Sequence, residues 1–233
     1  MRKTVMFVVT SHSDLGETGA KTGAWLEELA APYYIVEAAG LATRIASPAG
    51  TAQLDPVSVE APWLLAAGER FLADEEAMSK LERPERIDEV DAAGIDAVFL
   101  VGGTGTVWDF PTHTALGALL TELAANDRPI AAICHGVSGL LPARTADGAP
   151  LVQGRRLTSF SNAEEAMLEL ETVVPLLAET ALCEQGARYS CAAPFEAHVV
   201  EDGLLLTGQN PASAAGLADR LVARLTGRAD PLG

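Results

Sequence analysis

Short apolar runs alternate with amphipathic stretches along most of the chain. Residues 3–10 (KTVMFVVT), 42–47 (ATRIAS), 95–101 (IDAVFLV) and 130–133 (IAAI) are nearly continuous apolar runs, each ended by a glycine, a proline or a polar residue. They predict strands buried on both faces of a sheet. Between them, residues 22–31 begin a helix with Trp25, Leu26 and Leu29 on one side. Residues 114–126 place Leu116, Leu119, Leu120 and Leu123 at helical spacing. Residues 137–141 start a helix limited by Pro142, and 157–160 read as a short strand. Residues 163–170 and 174–186 look helical, the second interrupted by Pro175. Residues 198–207 (HVVEDGLLLT) predict a hairpin turning at Asp202-Gly203. A closing helix is expected over 211–225, with Asn210 as N-cap and Pro211 at its first position.

Strands alternating with helices predict an α/β fold, a flavodoxin-like, mostly parallel sheet covered by helices on both faces. The length of 233 residues fits one domain. Residues 49–88 are less periodic, contain Pro56, Pro62 and Pro84, and are expected as a small excursion or lid. In such folds the binding crevice lies beyond the carboxyl ends of the strands. Three loops should meet there: 11–22, 102–111, and the turn at Cys134-His135.

That last turn carries the strongest chemical signal. The buried run ending at Ile133 stops abruptly at Cys134-His135-Gly136. A strand feeding directly into a reactive side chain and a glycine resembles a nucleophile elbow, a tight turn that lifts one side chain above the sheet. A helix beginning near Gly136 would direct its N-terminal N–H groups at the sulfur and favour the thiolate.

Composition narrows the function classes. Acidic residues outnumber basic ones 32 to 16, for a net charge of −16. This argues against nucleic acid and anionic membrane surfaces as partners. Three cysteines without a C-x-x-C pair give no disulfide scaffold or zinc site, and Cys183 and Cys191 are expected as packing residues. The N-terminal apolar run is too short for a signal peptide, and no run is long enough to span a membrane, so a reducing cytoplasm is expected. Two motifs fail on inspection. GETGAKT (16–22) has Ala20 and Leu15 where a phosphate loop needs glycines, and GTG (103–105) has Trp108 where a dinucleotide fingerprint needs its third glycine. His12, His113, His135 and His198 lack metal-ligand spacing. Neither a metal nor a cofactor is expected.

Several segments in order resemble the DJ-1/PfpI superfamily of class I glutamine-amidotransferase-like folds, most closely its Hsp31-like branch. They are KTGAWLEELAAPYY (21–34), GGTGTVWDFP (102–111), AICHG (132–136), LTSFSNAEEA (157–166) and TGQNPAS (207–213). Members of that branch include glutathione-independent glyoxalases (glyoxalase III) and stress chaperones. The resemblance implies Cys134 as nucleophile, His135 beside it, and a downstream acid orienting the histidine. That acid maps to Glu165, with Glu164 as the neighbouring alternative. It implies Glu28 as the carboxyl at the cysteine sulfur, and Gly102-Gly103 as oxyanion donors with Thr104 and Gly136 alongside. It also implies a homodimer. Branch members commonly carry histidine where this chain has Thr104 and Ala31.

The residues supply physical grounds of their own. Pro32 cannot donate the helical hydrogen bond to the carbonyl of Glu28, so Glu28 sits at a perturbed turn. If burial protonates it, it can donate to a thiolate and pass a proton on. Glu164 and Glu165 also suit the first turn of a helix capped by Asn162. The expected function is a glyoxalase III-like lyase, converting a small 2-oxoaldehyde to a 2-hydroxy acid. The alternatives are a hydrolase or hydratase of an amide or isonitrile using the same cysteine, and a stress chaperone or redox sensor without turnover.

Overall fold

The computed structural model describes residues 2–227. Its centre is a seven-stranded sheet in the order β3-β2-β1-β4-β5-β9-β8. The strands are β1 (Thr4–Val8), β2 (Ala42–Ser47), β3 (Glu85–Arg86), β4 (Ala97–Leu100), β5 (Ile130–Ile133), β8 (Val199–Asp202) and β9 (Leu205–Gly208). All pair in parallel except β8, which runs antiparallel along β9 as the expected hairpin. A separate two-stranded sheet pairs β6 (Arg156–Leu157) with β7 (Arg188–Tyr189). This is the flavodoxin-like α/β architecture expected.

The continuous apolar strands are explained by burial on both faces. Side chains alternate along a strand, so Val5 and Phe7 of β1 join one core layer while Met6 and Val8 join the other. In β5, Ala131 and Ile133 face the first layer, and Ile130 and Ala132 the second. α1 (Leu26–Ala38) and α8 (Ala214–Thr226) pack together over the first layer, supplying Leu29, Tyr33, Leu217 and Leu221. α5 (Thr114–Ala125) covers the second with the four leucines seen in the sequence.

The 49–88 region forms a 3-10 turn, α2 (Ala66–Ala73), α3 (Glu75–Glu82) and the edge strand β3, so part of it extends the main sheet. α4 (Thr106–Asp109), α6 (Asn162–Met167) and α7 (Ala178–Glu184) complete the described helices. Among the described residues no helix is long and apolar enough to cross a membrane.

Four local expectations are corrected. The helix after Cys134 is a 3-10 helix over Cys134–Leu140. α6 is capped by Ser161, not Asn162: Ser161 and Glu164 form a reciprocal capping box that satisfies two otherwise orphaned donors. Asn210 precedes a 3-10 turn (Pro211–Ser213) without capping it, because its amide is turned toward Glu164 and the Glu196 carbonyl. Cys183 and Cys191 are exposed rather than packed.

Candidate active site

The parallel strands β1, β4, β5 and β9 bring their carboxyl ends together, and β5 ends at the expected elbow. Cys134 has φ +56°, in the left-handed region. For a residue other than glycine that costs on the order of 1–3 kcal/mol and persists only where the surroundings enforce it. Close packing enforces it here. A Cβ on Gly136 would stand 2.6 Å from the Val101 carbonyl and 2.8 Å from that of Leu100, so only glycine lets the turn sit on the end of β4.

Gly102 is glycine for a related reason. A Cβ there would meet Glu28 Oε2 at 2.2 Å and Cys134 Cβ at 2.7 Å. The missing side chain is the space in which the Glu28 carboxyl and the cysteine face each other. Gly103 has φ +106°, and a Cβ on it would collide with the Gly23 carbonyl and the Trp25 amide.

His135 follows Cys134 but turns back to it, with Nδ1 3.4 Å from Sγ. Its Nε2 lies 2.9 Å from Glu165 Oε2, and both side chains are buried. An acceptor at Nε2 fixes the ring hydrogen there and leaves Nδ1 free to accept from the thiol. The Phe160 ring, 4.4 Å away centroid to centroid, packs against the imidazole. Of the two downstream glutamates, therefore, Glu165 faces the histidine. Glu164 instead accepts five hydrogen bonds, from the Ser161 amide and hydroxyl, the Phe195 amide, and the Gln209 and Asn210 side chains.

Glu28 lies in the first turn of α1 and is fully buried. Burial pushes its carboxyl up to about 8; interactions with the Cys134 side chain and the Gly102 amide pull it back only partly, and the Glu164 charge adds to the rise. The helix-start dipole is worth only about 0.3–1 kcal/mol to a carboxylate and does not reverse this. Glu28 is protonated at neutral pH. The Cys134 thiol is also pushed up, first by burial and then by the negative form of Glu28; the His135 amide opposes this weakly. The expectation of a thiolate favoured by a helix start is thus overturned. A short 3-10 turn in a buried setting does not offset the desolvation of a sulfur anion.

Cys134 and His135 open into a cavity of about 180 Å³, reached also by Gly103, Thr104 and Asn210. The rest of its wall is mainly apolar: Trp25, Trp63, Phe160, Leu168, Phe195, Pro211 and Ala212. Gly102, Gly136, Glu28 and Glu165 are not part of its wall, and the Gly102 amide acts on Glu28. None of residues 11–22 lines it. That loop is tied elsewhere: the Ser11 amide donates to Asp109, Thr22 to Asp55, and Lys21 pairs with Asp14. His12 stacks on Trp108, His113 caps α5, and His198 bonds Ser190. No group of three or more His, Cys, Asp or Glu among the described residues is placed to hold a metal ion. The aromatic wall was missed in the sequence because its four members, Trp25, Trp63, Phe160 and Phe195, come from four separate segments, each an ordinary hydrophobe in isolation.

A family model described as the DJ-1/PfpI family matches residues 20–224. The chain belongs to the DJ-1/PfpI family. Within that family it is 29% identical over 234 residues to the glutathione-independent glyoxalase Hsp31 of Saccharomyces cerevisiae, covering 94% of this chain and 97% of the yeast protein. Among solved structures, the 24 kDa rapid encystment protein of Francisella tularensis superposes with a TM-score of 0.92 at 34% identity, covering 96% of this chain and 99% of that one. Glyoxalase III of Candida albicans superposes at 0.86 with 24% identity, over 95% of this chain and 96% of that one, a likeness of fold. The DJ-1/PfpI match spans every element that builds the elbow, including α1 with Glu28 and α6 with Glu165.

Proposed function

We propose that this DJ-1/PfpI protein is a glutathione-independent glyoxalase that isomerises a 2-oxoaldehyde on Cys134 and releases the 2-hydroxy acid. The observation that carries the reading is the chain of contacts from Cys134 Sγ to His135 Nδ1 at 3.4 Å and from His135 Nε2 to Glu165 at 2.9 Å, with protonated Glu28 beside the sulfur. The name of the yeast relative, to which nearly the whole chain aligns, supports the same reaction.

The sulfur attacks the aldehyde carbon and forms a C–S bond while His135 Nδ1 takes the thiol proton. Glu165 holds the ring and stabilises the imidazolium. Glu28 protonates the new alkoxide, giving a hemithioacetal and becoming a carboxylate. That carboxylate removes the proton on the former aldehyde carbon and delivers it to the ketone oxygen, which makes an enediol. It then moves the remaining hydroxyl proton to the second carbon. The aldehyde carbon is oxidised to a thioester as the ketone is reduced to an alcohol, so no external redox partner is needed. Water cleaves the thioester, His135 and Glu28 recover their starting states, and one proton leaves with the hydroxy acid. Gly103 lines the cavity, and its amide would bind the oxyanion.

The test is methylglyoxal consumption without glutathione, with lactate measured as product. Wild type should form lactate and Cys134→Ser should not; substantial turnover by the serine variant rejects the nucleophile.

A further inference from the structure

We infer that the preferred substrates are neutral 2-oxoaldehydes bearing an aryl or comparably bulky apolar substituent, rather than methylglyoxal; the inference rests on the reaction proposed above. Together with the reacting groups, Trp25, Trp63, Phe160, Leu168 and Phe195 line a cavity of about 180 Å³ and make its wall apolar. An apolar cavity of about 150 Å³ in another protein stays dry and takes up a benzene ring. The space here therefore has room for a ring beyond the dicarbonyl, and methylglyoxal's single methyl would leave much of it unfilled. It is also smaller than the roughly 300–1,000 Å³ of pockets for drug-sized ligands, which sets the upper limit on the substituent.

The polarity of the wall sets the rest of the class. Among the described residues no Lys, Arg, Asp or Glu side chain is part of the cavity wall, and Glu28, beside Cys134, is a neutral acid. A carboxylate or phosphate on the substrate would lose its hydration and gain no cation. The surrounding chain, with net charge −16, repels anions as well. Thr104 contributes a neutral hydroxyl at the wall. The Asn210 amide is already committed to Glu164 and the Glu196 carbonyl, so it is not free to bind a polar substituent. Trp63 and Phe195 remain 50% and 41% exposed, and Leu168 48%, so the apolar surface continues to the mouth. Trp63 packs edge-on against Trp25 at 5.8 Å between centroids, which gives that side of the mouth a defined shape.

The experiment compares kcat/KM for phenylglyoxal, 4-carboxyphenylglyoxal and methylglyoxal, measuring the hydroxy acid formed from each. Filling an apolar pocket gains about 10- to 200-fold per well-placed increment. Phenylglyoxal should exceed methylglyoxal by roughly 10- to 100-fold, and the carboxylated ring should lose that advantage. Trp63→Ala and Leu168→Ala, both at half-exposed positions, should each narrow the phenylglyoxal-to-methylglyoxal ratio about tenfold. Equal or better turnover of methylglyoxal overturns the substrate class and leaves the glyoxalase reaction standing. If neither aldehyde is turned over, the reaction fails, and protection of Cys134 from iodoacetamide by the unreactive ketones acetophenone and acetone decides the cavity by itself. Stronger protection by acetophenone upholds the apolar class; equal protection rejects it.

Discussion

His135 Nε2 and Glu165 Oε2 stand 2.9 Å apart in a site where both side chains are almost wholly excluded from solvent. This contact decides which nitrogen of the imidazole faces the sulfur. Glu165→Gln can donate to Nε2 through its amide and would then place the ring hydrogen on Nδ1, where it cannot accept the thiol proton. Loss of a positioned acid–base partner is worth about 10²–10⁴ in rate. We predict at least a 100-fold fall in kcat with little change in KM, measured by hydroxy acid formation.

Glu164 differs from its neighbour in kind. Its five hydrogen bonds join α6 to the loop at Phe195 and to the end of β9. Removing the acceptor strands several buried donors at about 1–3 kcal/mol each, part of which relaxation or water recovers. Glu164→Ala should lose about 3 kcal/mol of stability, lowering Tm by roughly 6–12 °C. Because Phe195 and Asn210 line the cavity, KM should rise as well. A Tm within a degree or two of wild type would remove the anchoring role.

Glu28 supplies the pH dependence. Its carboxyl is pushed from an ordinary 4.5 up to about 8 by burial. The proposed reaction needs the protonated form, so kcat/KM should fall about tenfold per pH unit above pH 8. Stability follows the same proton. The folded chain holds it between pH 4.5 and 8 while the unfolded chain releases it. The stabilisation is therefore complete below about 4.5 and is lost as pH rises through 8. Glu28→Gln has no such proton, so its Tm should gain on wild type between pH 5 and 9. The same variant removes the negative neighbour that raises Cys134. The midpoint of Cys134 alkylation by iodoacetamide should then move to lower pH, and an unmoved midpoint would contradict the coupling.

Gly136 tests the elbow itself. A methyl group there would press on the carbonyls of Leu100 and Val101 at 2.6–2.8 Å. Backbone must shift to admit it, at about 1–3 kcal/mol. Gly136→Ala should lower Tm and reduce turnover together, since the shift displaces Cys134.

Much of this site was legible before the structure. Cys134, His135 and the elbow followed from an apolar run ending in Cys-His-Gly, because a glycine just after a reactive side chain at a strand end lets the chain turn tightly there. β2 and β5 begin and end where their runs in the sequence do, and β5, buried at every position, left no ambiguity of period. Glu28 and Glu165 came from a resemblance; in the bare sequence they are two of 32 acidic residues. The state of the sulfur was misread because a helix start was weighed without the desolvation that opposes it. Asn162 was misread as a cap because Ser161, one position earlier, offers the better-placed oxygen together with Glu164. The cavity wall was invisible because it depends on tertiary contacts among Trp25, Trp63, Phe160, Leu168 and Phe195, which no local pattern connects.

The central claim is that substrate carbon becomes bonded to Cys134 during turnover. Acid quenching during steady-state conversion of a 2-oxoaldehyde, followed by peptide mass analysis, reads this directly. The account predicts a hydroxyacyl adduct on the Cys134 peptide alone, depleted in Glu165→Gln and absent from Cys134→Ser. Turnover with no adduct at Cys134, or with equal labelling of exposed Cys183 and Cys191, would contradict it.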